Sequence, residues 1–515
     1  MDENMKAVVE TISGKIEGRY QDGLYVFKGI PYAAAPVGKR RWAAPAPVEP
    51  WAGVRKTIEF AKVAPQIPPP AGILDALNVP ESQDEDCLYH NVWSPGLDDG
   101  RRPVLVWIHG GAFTMGSGSQ PFYDGRLLSS RGNVVVVTIN YRLGVFGFLN
   151  LNGVTGGRVP STGNEGLLDQ ISALRWVRDN IAVFGGDPAN VTVFGESAGG
   201  MSIGCLLAMP AARGLFHKAI LQSGVTVPPA DMEAETAARL IQILGIDPSD
   251  IDALMALPVE KLLSAEMKLR VRMAGPGEPA RLTVTAPAVD GKMLPRSPLD
   301  AVREGTAARI PLLIGTNLEE WKLFGVMDPD GSRLDDAMMA ERLKFFLASA
   351  HEPDIVKAYH NARTRRGDGT SRFELLSAIL SDFMFRMPAL RMAESQQLHG
   401  TPVYSYLFTW TSPALGGALG ACHALDLGFV FGTYDDVFCG KGAEADRLSR
   451  NMQDGWIAFA RTGDPSCEGL GTWPRYGEGR STMILGKECF VKEAPYDDER
   501  RAWSFSAVVA PPVLS

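Results

Sequence analysis

Cysteine is scarce in this chain, with six residues (Cys87, Cys205, Cys422, Cys439, Cys467 and Cys489) among 515. That is too sparse for a disulfide scaffold, and none has CxxC spacing, which argues against a zinc site. A basic excess is also missing: 51 Lys and Arg against 59 Asp and Glu give a net charge of −8, so no nucleic-acid partner is expected. No apolar run reaches the roughly 18 residues of a membrane helix. The start, MDENMKAVVE, has acids where a secretory signal needs a basic and then an apolar region. These absences predict a soluble cytoplasmic protein with no membrane partner. No internal repeat, low-complexity tract, dinucleotide fingerprint or phosphate-loop spacing is present.

What the chain has is apolar strand material in short pieces. RPVLVWIH (102–109), NVVVVTINY (133–141) and NVTVF (190–194) are continuous apolar runs of strand length. HKAILQSG (217–224), IPLLIGTN (310–317) and VYSYLFTW (403–410) are further ones. Between the second and third, Leu167, Leu168, Ile171, Leu174, Val177 and Ile181 recur at the three- and four-residue steps of an amphipathic helix. Alternation of this kind predicts an α/β fold with a large, mostly parallel sheet covered by helices on both faces. The first 60 residues suit hairpins, and 61–84 is a Pro-rich loop. Two stretches, about 228–300 and 325–400, are richer in helix formers and Met and are expected as helical insertions over one end of the sheet, within a single catalytic domain spanning 1–515. The second includes LLSAILSDFMFRMPALRMAESQQ (375–397). The Met residues there (Met255, Met267, Met273, Met327, Met338, Met339, Met384, Met387, Met392) are expected as ordinary helix core.

GESAG (195–199) has the G-x-S-x-G form, which gains meaning from its context: a strand ends at Gly195 and a helix begins after Ser197. Such a turn strains the serine backbone and lifts its hydroxyl clear of the sheet, so Ser197 is the candidate nucleophile. Upstream, VLVWIHGGAF (104–113) ends a strand in His-Gly-Gly-Ala. Its small residues let backbone N–H groups face a concavity, and Gly111, Ala112 and Ala198 N–H are the candidate oxyanion donors, with Gly110 permitting the turn. His109 is read as structural. Where a serine elbow of this kind occurs, the triad runs Ser, acid, His along the chain. Of the seven histidines, His90 and His109 precede Ser197, and His217 leaves no room for an acid. His351, His360 and His399 fall in the insertions or before the last strand. His423 remains, behind a Gly-rich loop. The acid should close the preceding strand, where LEEW offers Glu319 and Glu320; spacing does not choose between them, and Asp290 is a distant third.

Taken together, these residues resemble the type-B carboxylesterase family, which includes bacterial p-nitrobenzyl esterases, animal carboxylesterases and cholinesterases. KGIPYAAAPVG, EDCLYHNVW, WIHGGAF, NYRLGVFGF, GNEGLLDQ, FGGDPANVTVFGESAGG, LQSG, GTNLEEW and HALDLGFVFG match its blocks in order over almost the whole chain. The resemblance implies an α/β-hydrolase fold, Glu320 as the acid, Ser223 as a serine hydrogen-bonded to that Glu, and Arg41 with Glu85 as a structural ion pair. It also implies that Cys87, which pairs with an upstream cysteine in secreted relatives, has no partner here. Leu77 stands where cholinesterases place a choline-binding Trp. The p-nitrobenzyl esterase branch fits best.

The expected activity is hydrolysis of a small-molecule carboxylic ester, with neither metal nor organic cofactor, by a monomer or small homo-oligomer. The alternatives are the same machinery on an aryl carbamate or activated amide, and a non-catalytic binding protein on the same fold. That last class usually lacks the nucleophile.

Overall fold

A computed structural model describes residues 6–68, 81–225, 233–273, 283–328, 333–347 and 352–503. Leu77 and parts of both expected insertions lie outside the described residues. The described strands are β1 (Lys6–Thr11), β2 (Gly14–Gln21), β3 (Leu24–Pro31), β4 (Val54–Lys56), β5 (Tyr89–Ser94), β6 (Arg102–Ile108) and β7 (Val135–Ile139). They continue with β8 (Gly186–Glu196), β9 (Lys218–Gln222), β10 (Leu312–Asn317), β11 (Val403–Phe408), β12 (Ser481–Leu485) and β13 (Cys489–Glu493). They form one sheet in the order β1-β2-β3-β5-β7-β6-β8-β9-β10-β11-β12-β13, with β4 beside β2. From β7 to β12 every neighbouring pair is parallel. Antiparallel strands lie at both margins.

The continuous apolar runs are explained by burial on both faces. Along β6, Val104, Val106 and Ile108 enter one core while Leu105 and Trp107 enter the other. Helix Glu165–Asn180 covers the first core through Leu167, Ile171, Leu174 and Val177. Helix Ala443–Thr462 covers the second through Leu448, Met452, Trp456 and Phe459. Among the described residues no helix is long and apolar enough to cross a membrane.

The chain leaves β6 for β7 on one side and returns to β8 on the other. Strand order therefore reverses at β6, and beyond the carboxyl ends of the strands at such a reversal open α/β sheets bind ligands. Helices connect β9 to β10 (Glu233–Leu244, Ile251–Met255, Val259–Met273, Pro298–Arg303) and β10 to β11 (Lys322–Val326 through Met387–Gln397). Each insertion has an apolar cluster of its own, one around Leu240 and Leu262, the other around Leu343, Ile379 and Phe383.

Met339, Met384, Met387 and Met392 are buried core, Met255, Met273 and Met338 pack against it, and Met267 and Met327 are exposed. The helix read over 375–397 is interrupted by a π turn at Asp382–Arg386. Such turns often mark functional sites, and this one carries Phe385 to the crevice.

Candidate active site

Ser197 sits between the last residue of β8 and the first of helix Ala198–Ala208, with φ 54° and ψ −122°. A non-glycine residue in that conformation is strained, and the surroundings must hold it there. The Ser197 N–H donates to Gln222 O (2.9 Å), and its carbonyl accepts from Met201 N–H (2.8 Å). Glycine is required on both sides for close approach. A Cβ on Gly195 would stand 2.7 Å from Ile108 O, and one on Gly199 would stand 3.0 Å from His109 O and closer still to Ile108 O.

After β6 the backbone turns through Gly111 (φ 104°), Ala112 (φ 54°) and Phe113 (φ 62°). Three successive positive φ values aim the local N–H groups away from the sheet ladder. Among the described residues, the N–H groups of Gly111, Ala112 and Ala198 donate to no protein acceptor. Buried N–H groups are almost always paired, so unpaired donors beside the elbow serine suit a charge that arrives with substrate. The part played by Gly110 differs from the one expected. Its φ is ordinary, so Gly111 makes the turn. A Cβ on Gly110 would stand 3.1 Å from Ser197 Cβ, so this glycine lets the loop approach the elbow.

His423 Nδ1 lies 2.6 Å from Glu320 Oε2, and both residues are buried. The other carboxylate oxygen, Glu320 Oε1, accepts the Asn317 N–H at 2.7 Å. The structure thereby separates the two acids that spacing left open: Glu320 faces the imidazole, and Glu319 accepts from Ala421 N–H instead (2.9 Å). Ser223 does not do what the resemblance implies. It is fully buried at the end of β9 with φ 49°, and among the described residues its hydroxyl finds no hydrogen-bond partner. Asn317, at the end of β10, orients Glu320 in its place.

Sequence reasoning missed four side chains here. Glu196, beside the nucleophile, brings Oε1 to 3.0 Å from His423 Nε2 in a contact without hydrogen-bond geometry. Ser197 Oγ makes no hydrogen bond among the described residues, so the imidazole rests against Glu196. Asp426 is fully buried and accepts from Gln222 Nε2 at 2.8 Å. Phe324 and Phe385 flank the imidazole, with ring centroids 5.2 Å and 4.8 Å from it. The x of G-x-S-x-G and the acid three residues after His423 were visible; what they face depends on folding.

These groups set the site's electrostatics together. Burial pushes Glu196 up to about 8, offset partly by His423 and reinforced by Asp426 and Glu320. Burial pushes Asp426 up to about 6. For His423, burial opposes the imidazolium, but Glu196 and Glu320 outweigh it and push the group up to about 9. Glu196 and His423 face each other, so the charge of each biases the protonation of the other. His109 is elsewhere engaged: its ring stacks on Tyr141 at 4.4 Å, Nδ1 lies 2.8 Å from Gly110 O, and burial lowers it to about 4. It is a structural residue under the Gly110–Phe113 turn. Arg41 and Glu85 form a buried pair (Nε to Oε1 2.6 Å), and Arg41 Nη1 reaches Met255 O and Leu257 O, tying the N-terminal loop to the first insertion.

A serine at an elbow, a carboxylate-held histidine and unpaired backbone donors at one crevice define a hydrolase that works through an acyl-enzyme. Comparison with known proteins agrees. The profile of the Carboxylesterase family matches residues 5–503. The para-nitrobenzyl esterase of Bacillus subtilis (strain 168) is 41% identical over 502 residues, covering 96% of this chain and 98% of that protein. The phenmedipham hydrolase of Pseudarthrobacter oxydans is 37% identical over 507 residues, covering 94% and 96% respectively. Among solved structures, a thermophilic pNB esterase matches with a TM-score of 0.86 at 40% identity, over 97% of this chain and all of that one. The fold is the α/β-hydrolase fold. The chain belongs to the carboxylesterase family, and its reaction is carboxylic ester hydrolysis by a serine esterase.

Proposed function

We propose that Ser197 is the nucleophile, His423 the general base and acid, and Glu320 the carboxylate that fixes the imidazole, with Gly111, Ala112 and Ala198 N–H as oxyanion donors. The observation that carries this reading is the meeting of a strained serine, a 2.6 Å His423–Glu320 contact and unpaired N–H groups at the end of β6 and β8. When an ester enters, Nε2 exchanges its contact with Glu196 for one with Ser197 Oγ. Oγ then attacks the carbonyl carbon as its proton passes to Nε2. The carbonyl oxygen takes the negative charge among donors already oriented for it, each worth about 3–4 kcal/mol in the transition state. The tetrahedral intermediate expels the alcohol, which leaves with the proton from His423. Water, deprotonated by the same nitrogen, then cleaves the acyl-enzyme. Phe324 and Phe385 give the crevice apolar walls beside the imidazole, which suit aryl or alkyl esters.

The protein acts in a reducing compartment, the cytoplasm: all six cysteines are free, and Cys87 lies fully buried, where burial raises its thiol well above the ordinary value. All three triad members come from one chain, so a monomer or a small homo-oligomer serves equally. The test is a series of p-nitrophenyl esters from acetate to long chains, with Ser197→Ala alongside. The expected outcome is a loss of about four to six orders of magnitude in kcat with the fold intact. Turnover retained by a folded Ser197→Ala contradicts the assignment.

A further inference from the structure

The turn that presents Glu320 makes three more attachments in consecutive residues. Glu319 N–H donates to Ala421 O at 2.9 Å, and Glu319 Oε2 accepts Ala421 N–H at 2.9 Å, so one residue grips both polar groups of the segment two residues before His423. Trp321 N–H donates to Ser381 Oγ (2.9 Å) at the end of helix Arg372–Ser381. Lys322 Nζ lies 2.7 Å from Glu319 Oε1 and 2.9 Å from Glu374 Oε1, and Glu374 belongs to that same helix. Lys322 is 7% exposed. A buried ammonium needs paired carboxylates, and here the two come from opposite sides of a boundary: one from the triad turn, one from the second insertion. Burial alone would lower the Lys322 ammonium, yet the two carboxylates raise it. The fit at the base loop is tight: Gly420 has φ 55°, and a Cβ there would stand 2.6 Å from the Glu319 carboxyl carbon.

We propose that Glu319 is a positioning residue for His423: clamped by Lys322 and Glu374, it fixes the Ala421–His423 segment and couples the second helical insertion to the base. The inference rests on His423 being the base. Its logic is geometric. The Glu320–His423 contact is short, the two residues sit on separate loops, and the grip on Ala421 acts beside His423 N–H to Glu320 O (3.3 Å) and Asn317 Nδ2 to Cys422 O (2.7 Å) in setting their relative placement. Misplacing a reacting group by about 1 Å can cost about a hundredfold in rate.

The test measures kcat, KM and the pH profile with p-nitrophenyl acetate for Glu319→Ala, Glu319→Gln and His423→Ala, with thermal unfolding to verify the fold. Glu319→Ala should lower kcat about tenfold to a hundredfold, leave KM within about twofold, and shift the acid limb of the profile. Glu319→Gln keeps an oxygen for Ala421 N–H and should recover most of the loss. Gly420→Ala attacks the same contact from the other side and should reproduce the loss; it carries the test if Glu319→Ala does not fold. A folded Glu319→Ala or Gly420→Ala with unaltered kcat and profile overturns the inference, as does equal loss in the Gln and Ala variants. An active His423→Ala would instead overturn the triad reading itself, whereas an inactive one beside unaffected Glu319 variants sinks the coupling alone.

Discussion

Replacing Glu196 by Gln removes a charge next to the base while keeping the shape of the side chain. Glu196 Oε1 stands 3.0 Å from His423 Nε2, the nitrogen that accepts the serine proton in the proposed mechanism. In the wild type, burial works against the imidazolium and the carboxylates of Glu196 and Glu320 more than compensate, raising it to about 9. His423 must be neutral to act as a base. Activity therefore rises with pH as His423 gives up its proton. In Glu196→Gln the larger single-charge contribution is gone, and Glu320 with the more weakly acting Asp426 remains to oppose burial. One nearby opposite charge is worth about 1–3 pKa units, so the acid limb of kcat/KM should move to lower pH by that amount. Well below the limb, the variant should then gain about tenfold per unit relative to its own plateau. The plateau should fall, because Glu196 also favours the imidazolium formed in the transition state. The assay is kcat/KM for p-nitrophenyl acetate from about pH 5 to about pH 10. An acid limb that stays in place or moves up refutes the reasoning.

Two further substitutions probe the scaffold. Gly111→Ala puts a Cβ 2.8 Å from the Met115 carbonyl carbon at φ 104°, so the loop must shift and the proposed oxyanion donor is displaced; steady-state kinetics should show kcat lowered about 100- to 1,000-fold. Asp169→Ala leaves Arg142, whose guanidinium it holds at 2.8 Å through both Nε and Nη2, buried without its directly paired carboxylate; denaturant unfolding should show a loss of about 3–5 kcal/mol.

The parallel half of the sheet was legible because its strands are buried on both faces and so read as unbroken apolar runs. VLVWI and VVVVTI carry their own assignment as β6 and β7. β12 and β13 were not anticipated: β13 at the sheet's margin is CFVKE, mostly exposed, with no pattern to separate it from loop. The interruption of 375–397 by a π turn was hidden too, since LLSAILSDFMFRMPALRMAESQQ keeps helical composition throughout and tertiary packing sets the extra residue. At the site, local sequence encodes what local backbone strain requires, which is why the glycines around Ser197 and after His109 were readable. Contacts made only by long-range folding were not. Glu196 against His423 leaves no local mark, and the Ser223 hydroxyl, placed by resemblance, finds no partner among the described residues.

The central claim is that Ser197 forms the covalent intermediate. Incubating the protein with a fluorophosphonate and locating the adduct by peptide mass spectrometry tests it most directly. The account predicts one adduct per chain, on Ser197, with esterase activity lost in proportion to labelling; an adduct on another residue, or full activity in a protein labelled at Ser197, contradicts it.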